Sequence, residues 1–163
     1  MIYYIQKKYT KKSPPKDVKG GFTMKHIKKE FLLNCTPAKA WQLVVDRSKY
    51  EIWAAAFQTG STYTGEMKLN ETISFVDEIG NGLVSKVVVF EPEKEIKFAF
   101  LGEVTDGKYV EVPEFAEMLE HYLFKPMGDQ TKMLVDVVMD DEYYDMMNDL
   151  WDKAGTELIR LSN

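Results

Sequence analysis

The chain has 163 residues, of which 45% are hydrophobic and 13% aromatic, which is typical of one globular domain with a well-buried core. Its longest apolar runs are far too short to cross a bilayer, and its single cysteine, Cys35, excludes an internal disulfide framework. The N-terminal residues contain no apolar core followed by a small-residue cleavage site, so we expect no secretory signal and a cytoplasmic location.

Charge is distributed unevenly along the chain. Residues 1–23 hold six lysines and one acid, a net charge of +5. The net charge of the whole chain is −5, so the other 140 residues together carry a net charge of −10. A Ser-Pro-Pro and a Gly-Gly sequence break regular structure there. We interpret residues 1–23 as a basic arm and residues 24–163 as a single domain. Either Met24 is the original initiator, or the arm is flexible and dispensable. The acidic domain argues against nucleic-acid binding; the arm could contact nucleic acid or anionic lipid, although a solvated arm is the simpler explanation.

The domain is predicted to begin with one strand and two short helices. Residues 26–34 alternate as a strand does. Thr36 and Pro37 then indicate a helix start, because a Thr hydroxyl can cap a free N–H and proline has no N–H to leave unpaired. This helix is predicted to run to Asp46, with Ser48 as the cap of the second helix.

From residue 60 the period changes to two, which predicts an antiparallel meander rather than βαβ crossovers. Asn81-Gly82 is a hairpin signal because both residues tolerate positive φ. Val104 to Glu120 is the least regular segment, with a short helix predicted at Pro113, and it is either a lid over a cavity or a surface loop with a packed end. Six strands are predicted, at residues 62–67, 72–77, 83–91, 95–101, 121–125 and 131–139.

The last segment is predicted to be one long helix. Acidic residues 140–142 suit its N-terminus, and an apolar stripe follows from Tyr143 to Leu161. Gly155 within that stripe costs about 1 kcal/mol of helix propensity, which suggests a close approach to the sheet. Tyr143 and Tyr144 either orient a ligand near a cavity mouth or cap the core with their polar tips, and we favour capping.

A series of short motifs, spread in order over about residues 24–163, resembles the pattern of a known family. With the order of elements, they resemble the helix-grip superfamily (SRPBCC, START-like), which includes START domains, polyketide cyclases and birch-pollen-allergen-like proteins. The local sequence is similar to the branch related to the activator of the ninety-kilodalton heat-shock-protein ATPase. The motifs are Thr36-Pro37-Ala38-Lys39-Ala40-Trp41, Tyr50, Trp53, Gly82-Leu83-Val84-Ser85-Lys86-Val87, Glu91-Pro92, Ile96, Gly102, Trp151 and Leu158.

The resemblance implies an α+β fold in which a curved antiparallel sheet wraps round a long C-terminal helix, with two short helices after the first strand. It also implies a cavity between sheet and helix. Candidate wall residues for a hydrophobic ligand are aromatic or sulphur-containing, although the same residues would also fill an ordinary core. They are Trp53, Phe57, Phe75, Phe98, Phe100, Tyr122, Phe124, Met147 and Trp151.

The sequence shows no set of residues that fixes a reaction. His26 and His121 are each isolated in a predicted strand, and neither has a second ligand at metal spacing. Cys35 is better explained as a small buried hydrophobe than as a nucleophile. The acids fall mostly in predicted turns or at a helix start, where solvation explains them. No catalytic residue, metal site or cofactor is therefore predicted.

Non-catalytic binding of a small hydrophobic molecule in the cavity is the function that these features favour. Members of the resembled superfamily bind lipids and sterols, cyclise polyketides or assist a chaperone, so two alternatives stay open. One is a protein-interaction module like the chaperone-ATPase activators, with a chaperone or other protein as partner. The other is a polyketide-cyclase-like enzyme, which two polar side chains converging deep in the pocket would favour.

Overall fold

A computed structural model describes residues 23–163, so the predicted basic arm lies outside the described residues except for Thr23. The described chain forms one α+β unit. Its strands are β1 (Met24–Leu33), β2 (Thr62–Thr64), β3 (Thr72–Val76), β4 (Gly82–Glu91), β5 (Glu95–Thr105), β6 (Lys108–Glu111), β7 (Leu119–Met127) and β8 (Gln130–Asp140). Its helices are α1 (Pro37–Val45), α2 (Arg47–Ala54) and α3 (Tyr144–Ser162), with 3-10 turns at Pro113–Glu117 and Asp141–Tyr143.

All strand pairs in the curved sheet are antiparallel, in the order β1-β8-β7-β5-β4-β3-β2. The long strand β5 has two partners on one side: residues 95–99 pair with β7, and residues 102–105 pair with β6. Helix α3 packs on β1 and on both short helices. This is the predicted α+β architecture.

The start of α1 confirms its predicted cap, but the start of α2 does not. The Thr36 hydroxyl accepts a hydrogen bond from the Lys39 N–H at 3.4 Å, and Pro37 is the first helical residue. At α2 the cap is Asp46, and Ser48 lies inside the helix. The Asp46 carboxylate accepts from the Ser48 N–H at 2.9 Å and from its hydroxyl at 2.6 Å, and its negative charge suits the positive end of the helix.

The β3–β4 hairpin forms where it was predicted, but by a different turn. Gly80 has the positive φ, +85°, while Asn81 and Gly82 do not have it. The buried Asp77 carboxylate organises the turn by accepting from the N–H groups of Ile79 at 3.0 Å and Asn81 at 2.9 Å. The hairpin predicted at Asn81-Gly82 is therefore confirmed, although neither residue takes the positive φ that both tolerate, because a side-chain acceptor shapes this turn.

Seven strands follow the short helices, where six were predicted. The missed strand β6 has four residues, all exposed, so it shows no alternation of buried and exposed positions. It pairs with β5 through a two-residue turn at Asp106 and Gly107, whose φ angles of +50° and +74° suit a tight hairpin. The segment after it ends in a 3-10 turn that buries Phe115 completely. Of the two alternatives for residues 104–120, a lid over a cavity or a surface loop with a packed end, this buried turn matches the packed end of the second.

Gly155 allows α3 to approach the sheet as closely as predicted. A Cβ atom at this position would lie 2.0 Å from the Cε1 atom of Phe31 on β1. The C-terminal end of α3 is also fixed to the start of the chain's first loop: the Asn34 N–H donates to the Ser162 hydroxyl at 2.8 Å, and the Lys39 ammonium donates to the Asn163 carbonyl at 3.0 Å. No helix within residues 23–163 is both long and apolar enough to span a bilayer.

Candidate functional site

The concave face of the sheet is built by the alternation of strands β5 and β7. Phe98 and Phe100 on β5 are buried, as are Glu120, Tyr122 and Phe124 on β7. Glu120 and Phe98 are directly paired across the two strands, and directly paired side chains project to the same face. An acidic side chain therefore projects to the same face as the aromatic residues, under the helices.

Six aromatic rings from five elements form a closed series of contacts, here named the aromatic circuit. Successive ring centroids are 4.9, 5.8, 5.1, 6.2, 5.9 and 6.1 Å apart, within the range of favourable aromatic pairs. Five of the six contacts join different elements, so the circuit ties α2, β3, β5, β7 and α3 together. In order of contact, its members are Trp53, Tyr50, Phe75, Phe98, Tyr122 and Trp151.

Backbone carbonyls near the end of α1 fix one side of the circuit. The indole N–H of Trp53 donates to the Leu43 carbonyl at 2.7 Å in a buried position. The Tyr63 hydroxyl donates to the Val45 carbonyl at 2.6 Å, and its ring packs edge-on against Tyr50 at 5.3 Å. These hydrogen bonds satisfy carbonyls at the end of a helix and hold the rings of α2 and β2 in place.

Five of the nine predicted wall residues belong to the circuit, and two of the other four make ring contacts with it. Phe57 lies 5.0 Å from Trp151, and Phe100 lies 6.5 Å from Phe75. Phe124 packs elsewhere, against Trp41 of α1 at 5.7 Å. Met147 is fully buried on α3. That these residues bind a ligand remains a prediction.

Glu120 is the residue of this site that the sequence analysis missed. Its side chain is 5% exposed, and its Oε2 atom has no hydrogen-bond partner among the described residues. Burial in apolar surroundings raises the pKa of this carboxyl from 4.5 to about 8. Burial also raises the pKa of Tyr50 well above its usual value, and the negative charge of Glu120 raises it further. The charge of the buried Glu120 therefore acts on the half-buried Tyr50.

The indole nitrogen of Trp151, a donor and part of the circuit, is also buried without a partner in residues 23–163. Buried polar groups in proteins are nearly always hydrogen-bonded, to protein, water or ligand. The aromatic circuit and the carboxyl beside it thus offer a donor and a carboxyl to a molecule that enters there.

A second buried carboxyl contradicts the interpretation of the acids as solvated turn residues. Glu103 lies on β5 opposite Leu83, is 7% exposed, and has an Oε2 atom without a described partner. Burial raises the pKa of this group too. Because Leu83 is in turn paired with Phe75, Glu103 projects to the concave side, beyond the irregularity between Val84 and Ser85.

The two histidines lie away from the circuit, and neither is isolated. His26 pairs with Asp136 at 2.8 Å, and His121 pairs with Glu95 at 2.7 Å. His121 and Asp136 also line a depression of about 480 Å³ on the sheet. Within the described part of the chain, no three His, Cys, Asp or Glu side chains are grouped so that they could hold a metal ion. Cys35 is buried, as predicted, and burial raises the pKa of its thiol.

Solved structures identify the fold. No family model matches the sequence, and no curated protein matches it. CalU16 from Micromonospora echinospora is 14% identical, with 86% of this chain and 77% of that chain covered and a TM-score of 0.61. DynU16, from the dynemicin biosynthetic locus, is 12% identical over 83% of this chain and less than half, 46%, of its own length, with a TM-score of 0.62. The Aha1 dimer from Colwellia psychrerythraea is 17% identical, with 85% of this chain and 93% of that chain covered and a TM-score of 0.58. The chain therefore has the helix-grip fold that its sequence predicted.

Proposed function

We propose that this protein binds a small, predominantly apolar molecule between the concave face of the sheet and helix α3. The observation that carries the proposal is the aromatic circuit with an unpartnered carboxyl beside it. Small-molecule sites in proteins are typically apolar and aromatic, with a few polar groups that fix orientation. The circuit and Glu120 have this composition.

The energetic argument is that an unpaired buried carboxyl is costly in a protein that only needs a core. An apolar side chain of similar size at position 120 would pack against Phe98 and Tyr122 without this cost. Polar groups retained in apolar interiors often serve function, and a pKa strongly shifted by burial is a known mark of functional sites. Glu120 satisfies both descriptions.

Native mass spectrometry of freshly purified protein, followed by denaturing extraction, tests the proposal. We expect an apolar molecule to be retained and released. Phe57→Ala should reduce retention because Phe57 is half-buried and contacts both tryptophans of the circuit. Ile52→Ala is the control, since Ile52 on α2 is 41% exposed. An empty protein that also fails to bind added apolar probes would contradict the proposal.

A protein-interaction role, similar to that of the chaperone-ATPase activators, is the second candidate. Edge strand β6 favours it, because Tyr109 and Val110 are 52% and 54% exposed on a strand whose outer edge can accept another chain. The test is the ATPase rate of a ninety-kilodalton heat-shock protein with and without this chain. Stimulation should fall in Tyr109→Ser and persist in Ile52→Ala; an unchanged rate with the unaltered protein would remove this candidate.

The polyketide-cyclase-like alternative is supported by the pair of polar groups in the interior. Glu120 and Tyr50 interact electrostatically inside the circuit, which is the kind of convergence that acid–base catalysis needs. Comparing the mass and the NMR spectrum of a ligand before and after incubation separates binding from catalysis, because a cyclisation without loss of water changes the structure but not the mass. Recovery of an unchanged molecule supports binding alone, and a Glu120-dependent change in its structure supports an enzyme.

A further inference from the structure

The electrostatic character of the interior restricts what it can bind. Glu120 is paired across the sheet with Phe98 on β5 and Val137 on β8, so its nearest strand neighbours bring no charge. No lysine, arginine or histidine among residues 23–163 acts on its pKa. Within residues 23–163, therefore, no side chain supplies a cation that compensates the charge of this carboxyl.

The rings around this carboxyl add to its negative potential. Four of the six circuit members are Trp or Tyr, the aromatic residues whose ring faces attract cations best. The attraction of an ammonium group to such rings is strongest in desolvated sites, and several rings together form the aromatic cages that hold ammonium ligands. The circuit and Glu120 therefore favour a positively charged group over a neutral or negative one.

We propose that the ligand, on the premise of the proposed binding function, is a lipophilic amine whose ammonium group pairs with the Glu120 carboxylate inside the aromatic circuit. Its apolar part would pack against the rings, and its charge would supply the partner that Oε2 lacks. A fatty acid or other carboxylate would instead bring a negative charge into an apolar space that offers it no cation among residues 23–163.

Binding changes the proton count of the site. Since burial raises the pKa of Glu120 to about 8, the carboxyl of the empty protein holds a proton at neutral pH. The amine enters as an ammonium ion, Glu120 loses its proton to solvent, and the two charges pair. The titratable groups that face Glu120 are Tyr50 from α2 and Tyr122 from its own strand, while β5, β8 and α3 present Phe98, Val137 and Trp151. Burial raises the pKa of Tyr50 well above its usual value, so the proton released near neutral pH is that of Glu120.

Isothermal titration with three probes of matched shape tests the inference: naphthylethylamine, naphthylethanol and naphthylacetate. At about pH 8 we expect the amine to bind at least about tenfold more tightly than the alcohol, and the acetate to bind most weakly. The amine's affinity should rise about tenfold or more from about pH 6 to about pH 8, with proton release detected as a dependence of the heat on the buffer.

Two variants assign the effect to one carboxyl. Glu120→Gln keeps the shape but not the charge, so it should abolish the preference for the amine and leave alcohol binding in place. Glu103→Gln removes the other buried carboxyl of the concave side and should leave the preference intact. Circular dichroism and the melting temperature confirm that each variant is folded.

The outcomes separate this inference from the proposed function. If the alcohol binds as tightly as the amine, or if Glu120→Gln retains the preference, the amine assignment is wrong while apolar binding stands. Loss of the preference in Glu103→Gln instead of Glu120→Gln would also overturn it. If none of the three probes binds and the purified protein also retains no apolar molecule, the proposed function itself is refuted.

Discussion

Replacing Glu120 by glutamine should stabilise the protein by an amount that grows with pH. The carboxyl is buried, and the side chain of glutamine has nearly the same volume but cannot ionise. In the unfolded chain the carboxyl ionises with a pKa near 4.5, whereas in the folded protein burial raises its pKa to about 8. The folded state therefore holds this proton over a pH range in which the unfolded state has lost it.

The sign and the size of the effect follow from proton linkage. Below about pH 4.5 both states are protonated and the group costs nothing; as pH rises, the unfolded state gains by ionising and the folded protein loses stability. The loss grows by about 1.4 kcal/mol per pH unit and levels off above about pH 8, at about 5 kcal/mol, or about 2 to 3 if the site relaxes or admits water. Glu120→Gln should escape all of it.

Urea unfolding of both proteins between about pH 4.5 and pH 8.5 measures this difference. The diagnostic quantity is the slope of the stability difference with pH, because any new hydrogen bond or unpaired amide in the variant adds only a constant. Glu114→Gln, which removes an exposed carboxyl from the 3-10 turn, gives the effect of the charge change alone. A stability difference that stays constant across this range would refute a buried, unpartnered carboxyl at position 120.

Three other changes test the packing around the site, each by urea unfolding. Gly155→Ala should destabilise by about 1–3 kcal/mol despite its better helix propensity, because its Cβ would meet Phe31 at 2.0 Å; Phe31→Leu in the same chain should recover part of the loss. Trp53→Phe should cost about 1–3 kcal/mol, since the buried Leu43 carbonyl loses its donor at 2.7 Å. Asp77→Ala should cost about as much by leaving two N–H groups of the β3–β4 turn unpaired, and equal stability in any of these variants would contradict the contact concerned.

The fold was largely predictable because its signals are local and repeated. Alternation over β5 and β8, the Thr36-Pro37 start of α1 and the apolar stripe of α3 each reflect burial on one side of a regular element. Strand β6 was not predictable in this way, since all its residues are exposed and its only support is pairing with β5. The cap of α2 was misassigned because Asp46 and Ser48 both suit that position, and only geometry decides between them.

The candidate site was predictable in composition but not in its polar group. Most of the aromatic wall could be predicted from alternation. Tyr50 is part of a family motif, but the sequence analysis does not predict it as a wall residue. Glu120 stands at the boundary of the irregular segment, so it was grouped with a loop instead of with Tyr122 and Phe124, whose spacing it shares. The alternation of residues 120, 122 and 124 indicates that the three side chains share one face of a strand. Because Tyr122 and Phe124 are aromatic, this pattern predicts a buried acid at position 120.

The arrangement of the three tryptophans gives this protein a built-in optical reporter. The ring centroids of Trp53 and Trp151 lie 6.1 Å apart, and the planes of the two rings are inclined by 36°. At this distance their electronic transitions couple and add a split band to the far-ultraviolet circular dichroism. Tyr50 and Tyr122 touch these indoles and should pass their excitation energy to them. Trp41 lies apart, against Phe90 and Phe124, and serves as an internal reference. A molecule entering the circuit would thus change the coupled pair's signal while the backbone spectrum stays the same, so occupancy can be followed without any label.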